Sequence, residues 1–513
     1  MADLPELVHR SMTPVLEAGR KIRAEFLRPD GPRGSGHTAP VDEEIEHFLR
    51  EELQSLLPAR FVGEETEPVA GTTDEYCWLV DPHDGTSEFL QGARGSAVSV
   101  ALLRDGEPVL GVVHSPLSPD RGPDCIAWAE GMDHILRNGV PIGARLAGQS
   151  LTSDSIVLLA YRSHTRPETN HRRIAPARFV SSTSIAYRLA RVAAGDAIAT
   201  TSRQSRLSAH DYAAGHALLR GAGGVLVDGL GHAPAYTRDG RGGMDKCFAG
   251  APAAVTALLG RDWSLGRPPE TPLPILVTLD WPRREEGLDR AIGALAGLAL
   301  CTTRQATELA IALARALLTG AETRAVALAY RSWPGTLSAV EPILRCTPLG
   351  LWCADPADAA ARALADARLS HSDPRAALVC APLAAAVWAG VRGGTAEAMW
   401  GAACTAARSL PAADADADAV RAALDASEPC GTGSPVALLS DGFFHLARGT
   451  PIGDLSGHGG VAGALLGAVG GRAALPGNGF LRLLSSRPVG PSAYWTEDLP
   501  LLAEALLRPR APA

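Results

Sequence analysis

The alternation of apolar and polar positions changes character once along the chain. "LPELVHRSMTPVLEAGRKIRAEFL" (4–27) and "DEEIEHFLREELQSLL" (42–57) repeat apolar residues every three or four positions. That spacing gathers them on one face of a helix. Shorter runs follow: "YCWLVDP" (76–82), "SAVSVALL" (96–103), "PVLGVVHSP" (108–116), "SIVLLAYR" (155–162) and "GVLVD" (224–228). They are bounded by Gly, Pro and Asp and predict strands. "TSIAYRLARVAAG" (183–195) and "SAHDYAAGHALLRGAGG" (208–224) return to helix, each closed by glycine. Past "LGRPPETPLP" (265–274) and one strand-like piece, "ILVTLDW" (275–281), the pattern is helix after helix. "LDRAIGALAGLAL" (288–300), "ATELAIALARALLTG" (306–320), "PRAALVCAPLAAAVWAGVRGG" (374–394) and "GGVAGALLGAVGG" (459–471) are examples. The chain therefore divides into an α/β part (1–264), a Pro-rich linker (265–274) and an all-α part (275–513).

Composition narrows the function classes. The 513 residues exceed what one core usually serves. With 46% hydrophobic and 20% charged residues, the chain is ordinary globular protein. A net charge of −8 argues against a nucleic-acid polymer as partner. Lysine occurs only at positions 21 and 246, so the cations are nearly all arginine. Nine scattered cysteines without a Cys-x-x-Cys pair suit buried thiols in a reducing compartment. The N-terminus carries charges where a signal peptide needs an apolar core, and the apolar run 377–391 reads as too short to span a membrane. A cytoplasmic, soluble protein is expected, with a homodimer left open.

Three acidic clusters come in order in the first part. Glu64 and Glu65 follow a short strand-like run, Asp81 and Asp84 end another, and Asp211 opens a helix. Alone, each has a bland explanation: a solvated pair, turn residues, a helix cap. Together at element ends, they can converge on one cleft. Converging carboxylates repel and raise one another's pKa unless a cation neutralises them. Hard oxygen donors select Mg²⁺. Gly85 and Thr86, at an expected helix start, offer backbone N–H groups to an anion. Such a set suits phosphoryl transfer from a small-molecule phosphate ester.

These motifs resemble those of the inositol monophosphatase-like superfamily of Mg²⁺-dependent phosphatases. "GEE" (63–65), "DPHDGTSEF" (81–89) and "HDYAAGHALLRGAGG" (210–224) carry the resemblance, over roughly residues 1–250. It implies an αβαβα layered sandwich. It implies Glu64, Asp81, Asp84, Asp211 and the backbone carbonyl of His83 as Mg²⁺ ligands. Thr86 and Asp42 would serve the attacking water, with Glu65 beside them. Gly85, Thr86, Thr183 and Ser184 would lie near substrate; a helix cap explains Thr183 and Ser184 equally well. Four positions depart from the pattern: Ala39 replaces a Thr, His83 an Ile or Leu, His210 a Trp, and Gly221 a Glu. "GTSEF" and "AAGHA" are most similar to the 3'(2'),5'-bisphosphate nucleotidase branch. Arg162, Arg166, Arg172 and Arg173 in "YRSHTRPETNHRR" are candidates to clamp a second phosphate, against the plainer reading of a solvated loop. An inositol or sugar phosphate is the alternative substrate. A non-enzymatic nucleotide or ADP-ribose sensor is the alternative class.

The second part resembles the ADP-ribosylglycohydrolase family, carried by "DRAIGALAGLAL", "ILRCTPLGLW" and "GVAGALLGAVGGRAALP". Its metal motifs are altered. Gln305 and Ala306 stand where the resemblance implies two aspartates before Thr307, and Asp454 is followed by Ser456 and Gly457. An amide and a methyl cannot neutralise a divalent cation, so no hydrolase of that type is expected here.

Overall fold

The computed structural model describes residues 2–507 apart from 29–30, 205, 264–286, 303, 319–329, 331–337, 339, 412–414, 426–433, 456–458, 477–478 and 486–498. The described residues form two compact units, 2–263 and 287–507. The expected linker 265–274, the strand-like piece 275–281, Cys430, Ser456 and Gly457 lie outside the described residues.

In the first unit, helices α1 (Leu4–Phe26) and α2 (Pro40–Leu56) follow the apolar spacing closely. Their apolar stripes cover a seven-stranded sheet in chain order: β1 (Ala59–Val62), β2 (Thr73–Asp84), β3 (Ala97–Arg104), β4 (Glu107–Ser115), β5 (Asp124–Ala129), β6 (Ile135–Arg137) and β7 (Val140–Ile142). β1 pairs parallel to β2 and the rest are antiparallel. A short helix α3 (Thr86–Leu90) follows β2. The second sheet runs β12-β14-β10-β8-β9. Its members are β8 (Ile156–Ala160), β9 (Arg178–Ser182), β10 (Ala199–Ser202), β12 (Val225–Val227) and β14 (Cys247–Gly250). β11 (Leu207–Ser208) pairs with β13 (Gly243–Met244). Helices α5 (Ile185–Ala193) and α6 (Ala209–Gly221) lie between the two sheets; α4 (Pro167–Ile174) and α7 (Pro252–Leu259) pack on the second. The layers read αβαβα, because each sheet must bury its apolar residues against helices.

The sequence pattern had no signal for β5, β9, β10 or β14. "ATTS" and "CFAG" are four residues each and buried throughout, so period-two alternation is absent. Residues 161–173, weighed as a solvated loop, instead form a 3₁₀ turn (Tyr161–Thr165) and α4.

The second unit is helical, with no strand among its described residues. α8 (Leu288–Leu300) and the helix Gly460–Gly470 touch backbone to backbone at Gly293, Gly297, Gly463 and Gly467. A Cβ on Gly297 would sit 2.1 Å from the Gly463 carbonyl oxygen. The expectation that the apolar run near 377–391 is too short to span a membrane needs correction. Pro374–Val391 is helical over 18 residues and passes on length and composition, and 78% of it is buried inside the unit, as a core helix is.

Candidate active site

The site grows from a defect in β2. Asp81 pairs with Ser99 and Asp84 with Ala97, so three steps on β2 answer two on β3. In a regular strand, residues three apart face opposite sides. The extra residue of this bulge turns both aspartates toward one face. The chain then turns at Gly85, whose φ of +98° is costly for any residue with a Cβ. α3 starts there with only five residues, too short for a substantial macrodipole.

Asp211 reaches the same place from the start of α6. It occupies N3 of a capping box: its Oδ2 accepts from the Ser208 N–H at 2.7 Å, and the Ser208 side chain answers the N3 backbone. Glu64 comes from the loop after β1. That loop is held by Glu46 of α2, whose carboxylate accepts from the Glu65 and Thr66 N–H groups at 2.8 Å each. Asp42 and Glu46, one turn apart, are carboxylates on the buried face of a helix. That anomaly is itself a sign of function. Sequence reasoning missed Glu46, although its four-residue spacing from Asp42 could have revealed it.

The carboxyls of Glu64, Asp81, Asp84 and Asp211 are all raised, the first three by burial and by neighbouring carboxylates and Asp211 by burial. Burial pushes Glu64 to about 7, helped by the charges of Asp211, Glu65 and Asp84, while a hydrogen bond to Asp81 opposes the rise. Glu64 still touches solvent, which places it at the mouth of the cleft. Asp81 rises through burial and then through Glu64, Asp84 and Asp211. Burial and Asp211 lift Asp84 to about 6; burial alone lifts Asp211 to about 6. Among the described residues, none of the four forms a salt bridge with lysine or arginine. Among the described residues, no three of them already stand as a formed coordination shell. The donor set nevertheless fits a hard divalent cation: four acidic oxygen donors with little compensating charge.

Asp84 has a second task. Its Oδ2 accepts from the Ser184 hydroxyl and from the Ala186 N–H, both at 2.6 Å. Ser184 also caps α5 by accepting from the Tyr187 N–H at 2.9 Å. Ser184 thus caps α5 and ties it to the acidic cluster. Thr183 donates to the Arg94 carbonyl at 3.4 Å. Thr86 donates to the His83 carbonyl at 2.8 Å and to Asp42 Oδ2 at 3.1 Å. Glu65 is raised first by burial, then by Asp42 and Glu46, so it borders the Asp42 side of the cleft.

Residues 11–256 match the model of the inositol monophosphatase family. An inositol-1-monophosphatase of Rhizobium meliloti is 34% identical over 236 residues, covering 42% of this chain and 83% of its own. The chain belongs to the inositol monophosphatase family. Members of this family are metal-dependent phosphomonoesterases, and this chain is a hydrolase of that kind. A 3'(2'),5'-bisphosphate nucleotidase CysQ of Aggregatibacter actinomycetemcomitans is 34% identical over 108 residues, 20% of this chain and 40% of its own. A solved inositol monophosphatase from Anabaena (Nostoc) sp. PCC 7120 is 22% identical, covering 50% of this chain and 95% of its own, with a TM-score of 0.40. Residues 283–450 match the ADP-ribosylglycohydrolase model, so the helical unit carries a domain of that family. In that unit Gln305, Ala306 and Thr307 lie in the first turn of α9 (Arg304–Leu318), with the Ala306 methyl fully buried.

Proposed function

We propose that the first unit is a Mg²⁺-dependent phosphomonoesterase acting on a small ester that carries a second anionic group, a 3'(2'),5'-bisphosphate nucleotide being the favoured class. The observation that carries the reading is that four carboxyls from three separate elements stand raised beside one another and, among the described residues, none is ion-paired with lysine or arginine. Glu64, Asp81, Asp84, Asp211 and the His83 carbonyl would hold Mg²⁺. When bound, the ion would acidify a water and stabilise the leaving oxygen. Thr86 spends its proton on Asp42 and His83, so its oxygen is free to accept a hydrogen bond from the attacking water and orient it. Asp42 is the nearest carboxylate to take the water's proton through that hydroxyl, with Glu65 beside it. The backbone N–H groups at Gly85 and Thr86 favour the ester's phosphate oxygens.

The second anionic group is argued from arginines. Arg203 follows the C-terminal end of β10, and Arg166 the 3₁₀ turn after β8. Arg173 is held below the usual arginine range by burial, then by Arg203, Arg166 and Arg172, with Asp262 opposing. Arg203 is held down by burial and Arg166. Repelling guanidinium groups are relieved by an anion between them. Inositol 1-phosphate stands as the second reading, supported by the name of the Rhizobium relative. The helical unit is proposed to lack the paired metal site and to act as a binding or scaffolding domain.

The experiment is phosphate release by the full-length protein with Mg²⁺. Substrates would be adenosine 3',5'-bisphosphate, inositol 1-phosphate, fructose 1,6-bisphosphate and histidinol phosphate, each also with Asp81→Asn. Turnover of the nucleotide, lost in the variant, is the expected result. Turnover of inositol 1-phosphate alone would leave the mechanism and remove the second-anion argument. No release from any ester would sink the proposal.

A further inference from the structure

The imidazole of His83 has no task in the reaction as described; only its backbone carbonyl does. Yet it is one of the most constrained side chains near the cleft. Nδ1 lies 2.7 Å from Asp42 Oδ1 and Nε2 lies 3.0 Å from Ser96 Oγ. His83, Asp42 and Ser96 are each 1% exposed. The ring stands edge-on to Phe89, centroids 4.3 Å apart. A carboxylate only accepts, so Nδ1 carries a proton toward Asp42; in the neutral ring Nε2 then accepts from the Ser96 hydroxyl.

This order of serine, histidine and aspartate has the connectivity of a nucleophilic triad. Burial excludes that use: no ester reaches an enclosed serine whose hydroxyl is engaged with the ring. The chain of bonds runs the other way, ending on Asp42 and through its Oδ2 on Thr86. A comparison with α6 shows why Asp42 needs such support. Asp211 and Asp42 both sit at N3 of their helices. The Asp211 carboxylate is held by the backbone N–H of its cap, Ser208, at 2.7 Å. The Asp42 carboxylate has no such bond to its own cap, Ala39; its partners are His83 Nδ1 and Thr86 Oγ1. It is oriented from a distant strand instead.

We infer that His83 is a positioning residue, whose Nδ1–H fixes the Asp42 carboxylate so that Oδ2 stays on the Thr86 hydroxyl. The inference rests on the proposed phosphatase reading for what Asp42 does. Outer partners of this kind typically carry about 10–100-fold of activity. Freed of the ring, Asp42 would sample other rotamers and the water-orienting hydroxyl would lose its anchor.

The test uses full-length His83→Leu and His83→Asn. Asparagine restores an N–H donor near Nδ1; leucine does not. Leucine is expected to lower kcat by about 10–100-fold, with KM and calorimetric Mg²⁺ affinity within about threefold of the parent. Asparagine is expected to recover most of kcat. A long-range ¹H–¹⁵N spectrum of the metal-free parent should find the His83 proton on Nδ1. The inference is overturned if leucine leaves kcat within about threefold, if asparagine is as impaired as leucine, or if the proton is on Nε2. A parent inactive on every ester defeats the proposed function; the spectrum still judges the hydrogen bond.

Discussion

Two buried acidic clusters in the first unit behave in opposite ways. Between β5, β6 and α5, Asp120, Asp124 and Asp196 meet Arg137 and Arg191 at 2.6 to 2.9 Å. Burial pushes Asp120 and Asp196 up, but Arg191 and Arg121, with Arg137 at Asp196, outweigh it and both end below the usual range. At the cleft, Asp81 is buried, Asp84 and Asp211 are half-buried and Glu64 is exposed; among the described residues none of the four forms an ion pair with an arginine, and all end above the usual range. Desolvation pushes the carboxyls up in both, and most strongly where burial is deepest, yet the more deeply buried cluster is the one that ends low, because its arginines supply the counter-charge. The arginine cluster is complete in itself and serves structure. The cleft cluster has no such arginine partner among the described residues, in keeping with the proposed cation site.

Substitutions can break this contrast. The largest effect is expected at the cleft: Asp81→Asn should lower phosphate release by more than the ~100-fold typical of outer-sphere partners, measured at saturating Mg²⁺. Next is the arginine cluster. Arg191→Leu removes the cation closest to Asp120 and one of three around Asp196, and should cost about 3 kcal/mol in urea unfolding, the low end for a broken buried pair because Arg121 and Arg137 remain. A third test compares the two clusters directly by calorimetric Tm in EDTA. Asp196→Asn should lower Tm, whereas Asp81→Asn should raise it by relieving repulsion.

The pH dependence has a definite sign. Folded-state values near 6 for Asp84 and Asp211 and near 7 for Glu64 lie above the unfolded ones. The folded protein then binds protons more tightly, and this stability is present below about pH 4 and lost as pH rises to about 7. In EDTA these groups make Tm fall between pH 5 and pH 8; Mg²⁺ should remove most of that fall. The smallest effect is expected at the arginines. Arg203→Ala should raise KM for a bisphosphate by about tenfold and leave inositol 1-phosphate nearly unchanged.

The long amphipathic helices and the strand leading into Asp81 were legible because their signal is local and periodic. So were the acids of the three motifs, whose order along the chain survives folding. What the sequence could not show is contact across distance. Asp84 meets Ser184 from 100 positions away, and His83 meets Asp42 from 41. The bulge between Asp81 and Asp84 depends on how β3 pairs, which no property of "VDPHDG" announces. His83 was visible as a departure from the motif, but its meaning lay in an imidazole pointing inward rather than toward the cleft.

The central claim is that the cleft cluster is a cation site. Titration calorimetry of Mg²⁺ into the full-length protein near pH 6.5, in two buffers of different ionisation heat, tests it most directly. The account expects binding that releases protons, because Glu64, Asp84 and Asp211 are partly protonated beforehand, and loss of that binding in Asp81→Asn. Absence of binding in the parent, or equal binding in the variant, would contradict it.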